Sequence, residues 1–93
     1  MDHHDQRLDD IVRAHRDRTG EQSVLVGALL LAEETGEAVQ QLRRFAGHAR
    51  STATPDDVVA ELADVVISAV ILARLLDVDL DEAVSRKLEL GVR

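Results

Sequence analysis

Two pairs of acidic residues, each with a three-residue spacing, are the strongest chemical signal in this sequence. Glu34 and Glu37 form the first pair, and Glu61 and Asp64 form the second. Residues three apart lie on the same face of an α-helix, and each pair adjoins an apolar run. If their two helices pack antiparallel, the pairs face each other across a groove. Because like charges in a partly buried groove are costly without a counter-ion, the arrangement indicates a bound cation.

The residue types indicate which cation this is. Carboxylate oxygens are hard ligands that suit Mg²⁺, with Mn²⁺ as a substitute. Di-iron helical bundles use Glu-x-x-His pairs, whereas positions 37 and 64 are Glu and Asp here. A single Glu-x-x-Glu is most often a solvated helix surface, but two pairs at the edges of apolar stripes favour a metal site. No histidine is expected to be a ligand: His3 and His4 lie in the first residues, His15 on a partly buried surface and His48 in a loop.

Breaks in the pattern divide the chain into four helices, which must position these acids. The helices are predicted at Gln6 to Arg18, Gln22 to Phe45, Pro55 to Leu76 and Asp79 to Leu90. Thr54 is the expected N-cap of the third, with Pro55 at its first position, and Thr19 with Gln22 suggests a capping box before the second. Residues 1–5 are expected to be frayed.

The predicted fold is all-α: a four-helix bundle completed by oligomerisation. The β-branched run at 65–71 resembles a strand, but its flanks continue the helical period and no turn signal interrupts them. From Val65 to Ala73 the third helix is apolar nearly all round, and such a helix is buried on several sides. Three short partners cannot cover it, so we expect a homodimer or a dimer of dimers.

Composition sets the broad class of protein. Residues 1–93 suffice for one domain. No cysteine is present, which excludes thiolate metal sites and favours a reducing cytoplasm. The N-terminus lacks the apolar region of a signal peptide, and the longest apolar runs are too short to span a membrane. A net charge of −7 argues against nucleic-acid binding, and it fits an acidic partner only if a metal cation lies between the two.

The two acidic segments also carry a family resemblance. "EETGE" at 33–37, followed by "ELAD" at 61–64, resembles the EExxE…ExxD signature of the MazG-like, all-α nucleoside triphosphate pyrophosphohydrolases. The segment "ELADVVISAVILARLLDVDLDEAVSRKLE" is similar to the second half of that family. The resemblance covers roughly Leu29 to Glu89.

The resemblance implies hydrolysis of a nucleoside triphosphate, ribo or deoxy, to the monophosphate and pyrophosphate. It implies that Glu34, Glu37, Glu61 and Asp64 hold Mg²⁺, and that Glu33 holds a second metal ion or orients water. It implies further that Gly36 allows close helix approach. The basic residues retained near the family's phosphate contacts are Arg86 and Lys87, whereas Gly91 replaces the family's asparagine, and Phe45 is the one aromatic residue.

Three functional hypotheses follow. The first is a Mg²⁺-dependent nucleotide pyrophosphohydrolase with a house-cleaning or pool-regulating role. The second is a catalytically weak or inactive MazG-like module that binds nucleotides or serves oligomerisation. The third is a plain structural bundle, which predicts no dependence on metal.

Overall fold

The computed structural model describes residues 4–48 and 52–91, and these residues form four α-helices and one short 3₁₀ helix. The elements are α1 (Asp5–Thr19), the 3₁₀ helix (Gly20–Gln22), α2 (Ser23–Phe45), α3 (Pro55–Leu75) and α4 (Leu80–Leu90). The described ranges contain no strand, so the all-α prediction is confirmed, including for the β-branched run within α3. Each predicted helix boundary lies within one residue of the observed boundary.

The start of α3 is fixed by a reciprocal capping box. The Thr54 hydroxyl accepts a hydrogen bond from the Asp57 backbone N–H, and the Asp57 carboxylate accepts one from the Thr54 N–H. Pro55 occupies the first turn, where its missing N–H is harmless. The Thr54 N–H, followed by the Thr54 hydroxyl, holds the pKa of Asp57 below its ordinary value. These contacts place Glu61 and Asp64 in the second and third turns of α3.

The starts of α2 and α4 differ from each other. Asp79 caps α4 by accepting a hydrogen bond from the Glu82 N–H at 3.2 Å, as the sequence indicated. The predicted capping box of Thr19 and Gln22 is wrong, because the Thr19 hydroxyl donates instead to the His15 carbonyl at 2.7 Å. A 3₁₀ turn leads directly into α2.

The centre of the fold is an antiparallel pair formed by α2 and α3. Gly27, near the start of α2, lies against Leu75 at the end of α3, whereas the later Glu34 lies beside the earlier Asp64. A Cβ atom at Gly27 would stand 2.9 Å from Leu75 Cδ1, but one at Gly36 would meet nothing within 4 Å in the described chain. The close helix approach expected at Gly36 therefore occurs at Gly27.

Helix α1 packs across the end of this pair. His15 is only 2% exposed, and its Nε2 lies 2.8 Å from the Ser23 carbonyl oxygen, so it is a buried residue rather than a partly buried surface one. Arg74 of α3 binds the carboxylates of Asp5, at 2.6 Å, and Asp9. Asp5 is thus the first residue of α1. The expected fraying of residues 1–5 stays a prediction, and residues 1–3 lie outside the described ranges.

The core of a single chain is thin. Within the described ranges, the buried apolar side chains are those of Leu8, Val12, Ala38, Val70, Ala73 and Leu75. Leu62 and Val66 of α3 are 53% and 50% exposed, so the described residues do not cover α3 on all sides. Among the described helices, α4 packs only against α3. None of these helices combines the length and the apolar character needed to cross a membrane.

Candidate metal centre

Three carboxylates from two helices meet at the middle of the α2–α3 pair. Glu34 of α2 and Glu61 and Asp64 of α3 each place one oxygen within 4.8 Å of the others. Mg²⁺ takes oxygen ligands at about 2.1 Å, so oxygens on its opposite sides stand about 4.2 Å apart. Small side-chain rotations suffice to close a cluster of this size on one ion. The residues present therefore fit a hard divalent cation.

The acids reach this position because they follow the packed seam of each helix. On α2, Glu34 lies between the half-buried Leu31 and the buried Ala38, at spacings of three and four residues. On α3, Glu61 lies between the half-buried Val58 and Val65. Residues at these spacings share one helix face, so the apolar period that pairs the helices also turns Glu34 and Glu61 inward.

The two inward carboxylates are left with unsatisfied oxygens. Glu34 Oε2 and Glu61 Oε2 are both buried, and neither has a hydrogen-bond partner among the described residues. Buried polar atoms are nearly always paired in native proteins. Two such oxygens in one acidic cluster match the hard ligands that a divalent cation takes.

The charge state of the cluster reflects the same crowding. Desolvation is the largest cause that raises the pKa of Glu34 above its ordinary value, followed by the negative charges of Glu37, Asp64, Glu61 and Glu33. Desolvation is also the largest cause that raises the pKa of Glu61, and the negative charges of Glu37 and Asp64 raise it further. Burial and negative neighbours both disfavour the ionised form, and a bound cation would offset both by attracting the ionised carboxylates.

Glu37 and Glu33 lie around the cluster rather than inside it. Glu37 is exposed and is not one of the three residues whose oxygens converge, although it interacts with both Glu34 and Glu61. Glu33 is also exposed, and it contributes the smallest of the charge effects on Glu34. Of the four residues expected to hold the metal, three therefore converge and Glu37 stands beside them.

The basic residues predicted on α4 are not brought to these acids within one chain. The Arg86 guanidinium lies 2.9 Å from the Glu82 carboxylate, and its side chain is 70% exposed. Lys87 is likewise exposed. Because α4 packs only against α3 within the described residues, no second helix directs either side chain toward Glu34.

Sequence reasoning missed a different cation, Arg44. Its Nε is buried and has no hydrogen-bond partner within the described residues. Leaving a buried donor unpaired costs about 1–3 kcal/mol. The signal that points to Arg44 is its register, because it follows Glu37 by seven residues and therefore shares that face of α2.

An antiparallel pair of α-helices with a carboxylate cluster across its seam offers the oxygen ligands that a divalent cation takes. The family model for the MazG nucleotide pyrophosphohydrolase domain matches residues 22–89. The chain belongs to this family. No curated protein and no solved structure matches the chain significantly.

Proposed function

We propose that this protein is a Mg²⁺-dependent nucleoside triphosphate pyrophosphohydrolase. It adds one water molecule across the bond between the α- and β-phosphates of a ribo- or deoxyribonucleoside triphosphate. The products are the nucleoside monophosphate, pyrophosphate and one proton. We assign it a role in clearing or regulating nucleotide pools, in the cytoplasm.

The observation that carries this proposal is the convergence of Glu34, Glu61 and Asp64 within 4.8 Å. A plain structural bundle has no reason to turn Glu34 and Glu61 into its packing seam beside the exposed Asp64, since a partly buried carboxylate is costly without a counter-charge. The buried oxygens of Glu34 and Glu61 that lack a hydrogen-bond partner support a bound cation for the same reason. Membership of the family supplies the substrate class.

We assign roles to the acids according to their positions. Glu34, Glu61 and Asp64 are the direct metal ligands, and Glu37, beside Glu61, completes the set by rotating its exposed side chain. Glu33 lies at the outer edge, where its carboxylate orients the attacking water or helps to hold a second ion. Mg²⁺, with Mn²⁺ as a substitute, supplies Lewis acidity and charge neutralisation at the phosphates when bound.

The proposal extends to α4 and to assembly. Arg86 and Lys87 are candidate phosphate contacts, for which Arg86 must leave its pairing with Glu82. The exposed apolar side chains of α3, such as Leu62 and Val66, support burial against a second copy as a homodimer or a dimer of dimers. We expect no nucleic-acid partner, because the net charge is −7.

A substrate panel tests the proposal directly. The protein is mixed with ribo- and deoxyribonucleoside triphosphates in Mg²⁺, Mn²⁺ or EDTA, and pyrophosphate and monophosphate are both measured. We expect equal amounts of the two products, formed only with metal. Asp64→Asn should be inactive, whereas Asp10→Asn, which changes an exposed acid of α1 paired with Arg13, should retain full activity.

One result would support the alternative function. Gly91 stands where the family has asparagine, which removes one amide from the region after α4. If the protein binds Mg²⁺ and triphosphates but releases no pyrophosphate from any of them, it is a nucleotide-binding or oligomerisation module without turnover.

A further inference from the structure

A single arginine on α2 stands out among the cations of the described chain. Arg44 is half-buried, and its Nε is shielded from water without an acceptor. Its neighbour Arg43 is different, because the Arg43 guanidinium is exposed and donates to the Gln40 side chain and the His48 carbonyl. Arg74 and Arg86 are also engaged by carboxylates. Arg44 therefore has an unused capacity to donate to an anion.

The helix register relates Arg44 to the acidic cluster. Arg44 follows Glu37 by seven residues, which is two turns of α2 and about 10 Å along its axis. Long side chains on a helix extend back over the preceding turn, which on α2 is the direction of Glu37. Arg44 thus shares the face of α2 that carries Glu37, the residue that interacts with both Glu34 and Glu61.

The chemistry of a bound nucleotide matches this arrangement. A triphosphate held by a metal at Glu34, Glu61 and Asp64 extends beyond the ion and needs a cation at its far end. A guanidinium binds phosphate through two parallel N–H donors. The half-buried Arg44 side chain would offer its unpaired Nε–H to a phosphate by turning outward from the helix surface. The cations of α4 are less suited, because Arg86 is paired with Glu82 and α4 packs only against α3 among the described helices.

We propose that Arg44 binds the terminal phosphate of the substrate, which departs as part of pyrophosphate. This assignment rests on the proposed function and deepens it, since it makes the site selective for triphosphates over monophosphates. Arg44 holds the end of the leaving group away from the acids, and the carboxylates hold the metal.

The test compares binding by the full chain and its variants, measured by calorimetry. The probes are Mg²⁺ alone, Mg²⁺ with a non-hydrolysable nucleoside triphosphate analogue, and Mg²⁺ with the monophosphate. Arg44→Gln should weaken triphosphate binding by about tenfold or more and leave the monophosphate and Mg²⁺ alone nearly unchanged. Arg44→Lys keeps the positive charge but lacks the two parallel N–H donors. Its affinity for the triphosphate analogue should therefore lie between those of wild type and Arg44→Gln. Arg43→Gln, the matched control, should behave as wild type.

The outcomes separate this inference from the proposed function. Equal triphosphate affinity in Arg44→Gln and wild type overturns the role of Arg44 even if the wild-type protein hydrolyses nucleotides. If the wild-type protein binds the analogue but does not hydrolyse triphosphates, the proposed activity is overturned. The affinities of wild type and Arg44→Gln for the analogue still decide whether Arg44 binds the terminal phosphate. A wild-type protein that binds no triphosphate overturns both. Equal weakening of triphosphate and monophosphate binding also overturns the assignment to the terminal phosphate.

Discussion

Glu34 and Glu61 lie on different helices, yet each keeps one carboxylate oxygen buried and without a hydrogen-bond partner among the described residues. They are far apart in the sequence and converge because α2 and α3 pack antiparallel. Asp64 joins them within 4.8 Å. The stability and the activity of the protein should both depend on what occupies the space between these three side chains.

Neutral replacements at the cluster should abolish turnover without unfolding the helices. Loss of an outer-shell partner alone costs about 10–100-fold at metal sites, so Glu61→Gln and Asp64→Asn should lower kcat/KM by more than about 100-fold. Glu37→Gln should also be inactive, because Glu37 completes the proposed ligand set. Steady-state pyrophosphate release and circular dichroism check this. Wild-type rates in Asp64→Asn would rule out the site, and Glu33→Gln should show the mildest loss of the acids tested.

The metal-free protein should lose stability as pH rises. The pKa values of Glu34 and Glu61 are raised in the folded state above the ordinary 4.5, so the folded protein binds more protons there than the unfolded chain. Their stabilising contribution is complete below about pH 4.5 and is lost as pH rises through the raised values. Thermal melts in EDTA should therefore give a lower Tm at pH 8 than at pH 5.5. Glu61→Gln should flatten this dependence and raise the metal-free Tm at pH 8.

Mg²⁺ should reverse that loss. It binds the folded, deprotonated cluster, and at a hundredfold excess over its Kd it should add about 2.7 kcal/mol of stability at pH 8. At pH 5 protons compete for the ligands, and the gain should shrink. Coincident melting curves in EDTA and in millimolar Mg²⁺ at pH 8 would show that the acids are only a charged surface.

Two helix glycines should respond oppositely to alanine. Gly36 has open space around its Cβ position, so Gly36→Ala should raise the free energy of unfolding by about 0.5–1 kcal/mol. At Gly27 the new methyl would meet Leu75 Cδ1 at 2.9 Å, and overpacking of about 1–3 kcal/mol should outweigh the helix-propensity gain. Urea unfolding of both variants measures the contrast. A stabilised Gly27→Ala would mean that Leu75 moves aside freely.

Asp77 gives a local test of backbone strain. It has a φ of 58°, in the left-handed region, just after α3. Its carboxylate stands 3.8 Å from the exposed Arg16 guanidinium, a contact of small value at a surface. Asp77→Gly should therefore raise stability by up to about 1 kcal/mol. Asp77→Ala keeps the strain and loses the ion pair, so in the same melts it should be less stable than wild type.

Assembly should be tested at the exposed face of α3. Val66 is 50% exposed in the single chain, and in the proposed homo-oligomer it is buried. Light scattering at micromolar concentration should report a dimer or tetramer, and Val66→Asp should dissociate it. Val66→Thr keeps the shape of the side chain and should preserve most of the assembly. A stable wild-type monomer would contradict the proposed assembly.

The sequence predicted the helices well because their signals are local. The capping residues Thr54 and Asp79 and the apolar period are each contained within a few residues. The four acids were found because their spacing encodes one helix face. Which of them converge was not encoded in this way, since the position of Glu37 outside the cluster depends on side-chain rotation between two packed helices.

Three further features depended on long-range packing and escaped the sequence. The closeness of Gly27 to Leu75 and the burial of His15 both arise where α1 crosses the end of the α2–α3 pair. From the sequence alone, Arg44 resembles an ordinary exposed arginine. The structure shows that its Nε is shielded from water. The residue pattern of one helix does not show which of its side chains a second, packed helix buries.

The contacts of α1 bear on where this domain can be cut. The family match begins at residue 22, after α1 ends, yet Arg16 donates to the carbonyls of Arg74 and Leu75 at the end of α3. A polypeptide trimmed to residues 22–89 would keep every acid of the metal centre but lose Leu8 and Val12 from the core. It would also leave the last turn of α3 open to water. The shared family segment therefore carries the candidate metal ligands, while α1 lies outside the match and covers the end of the helix pair. Any shortened version would have to replace that cover.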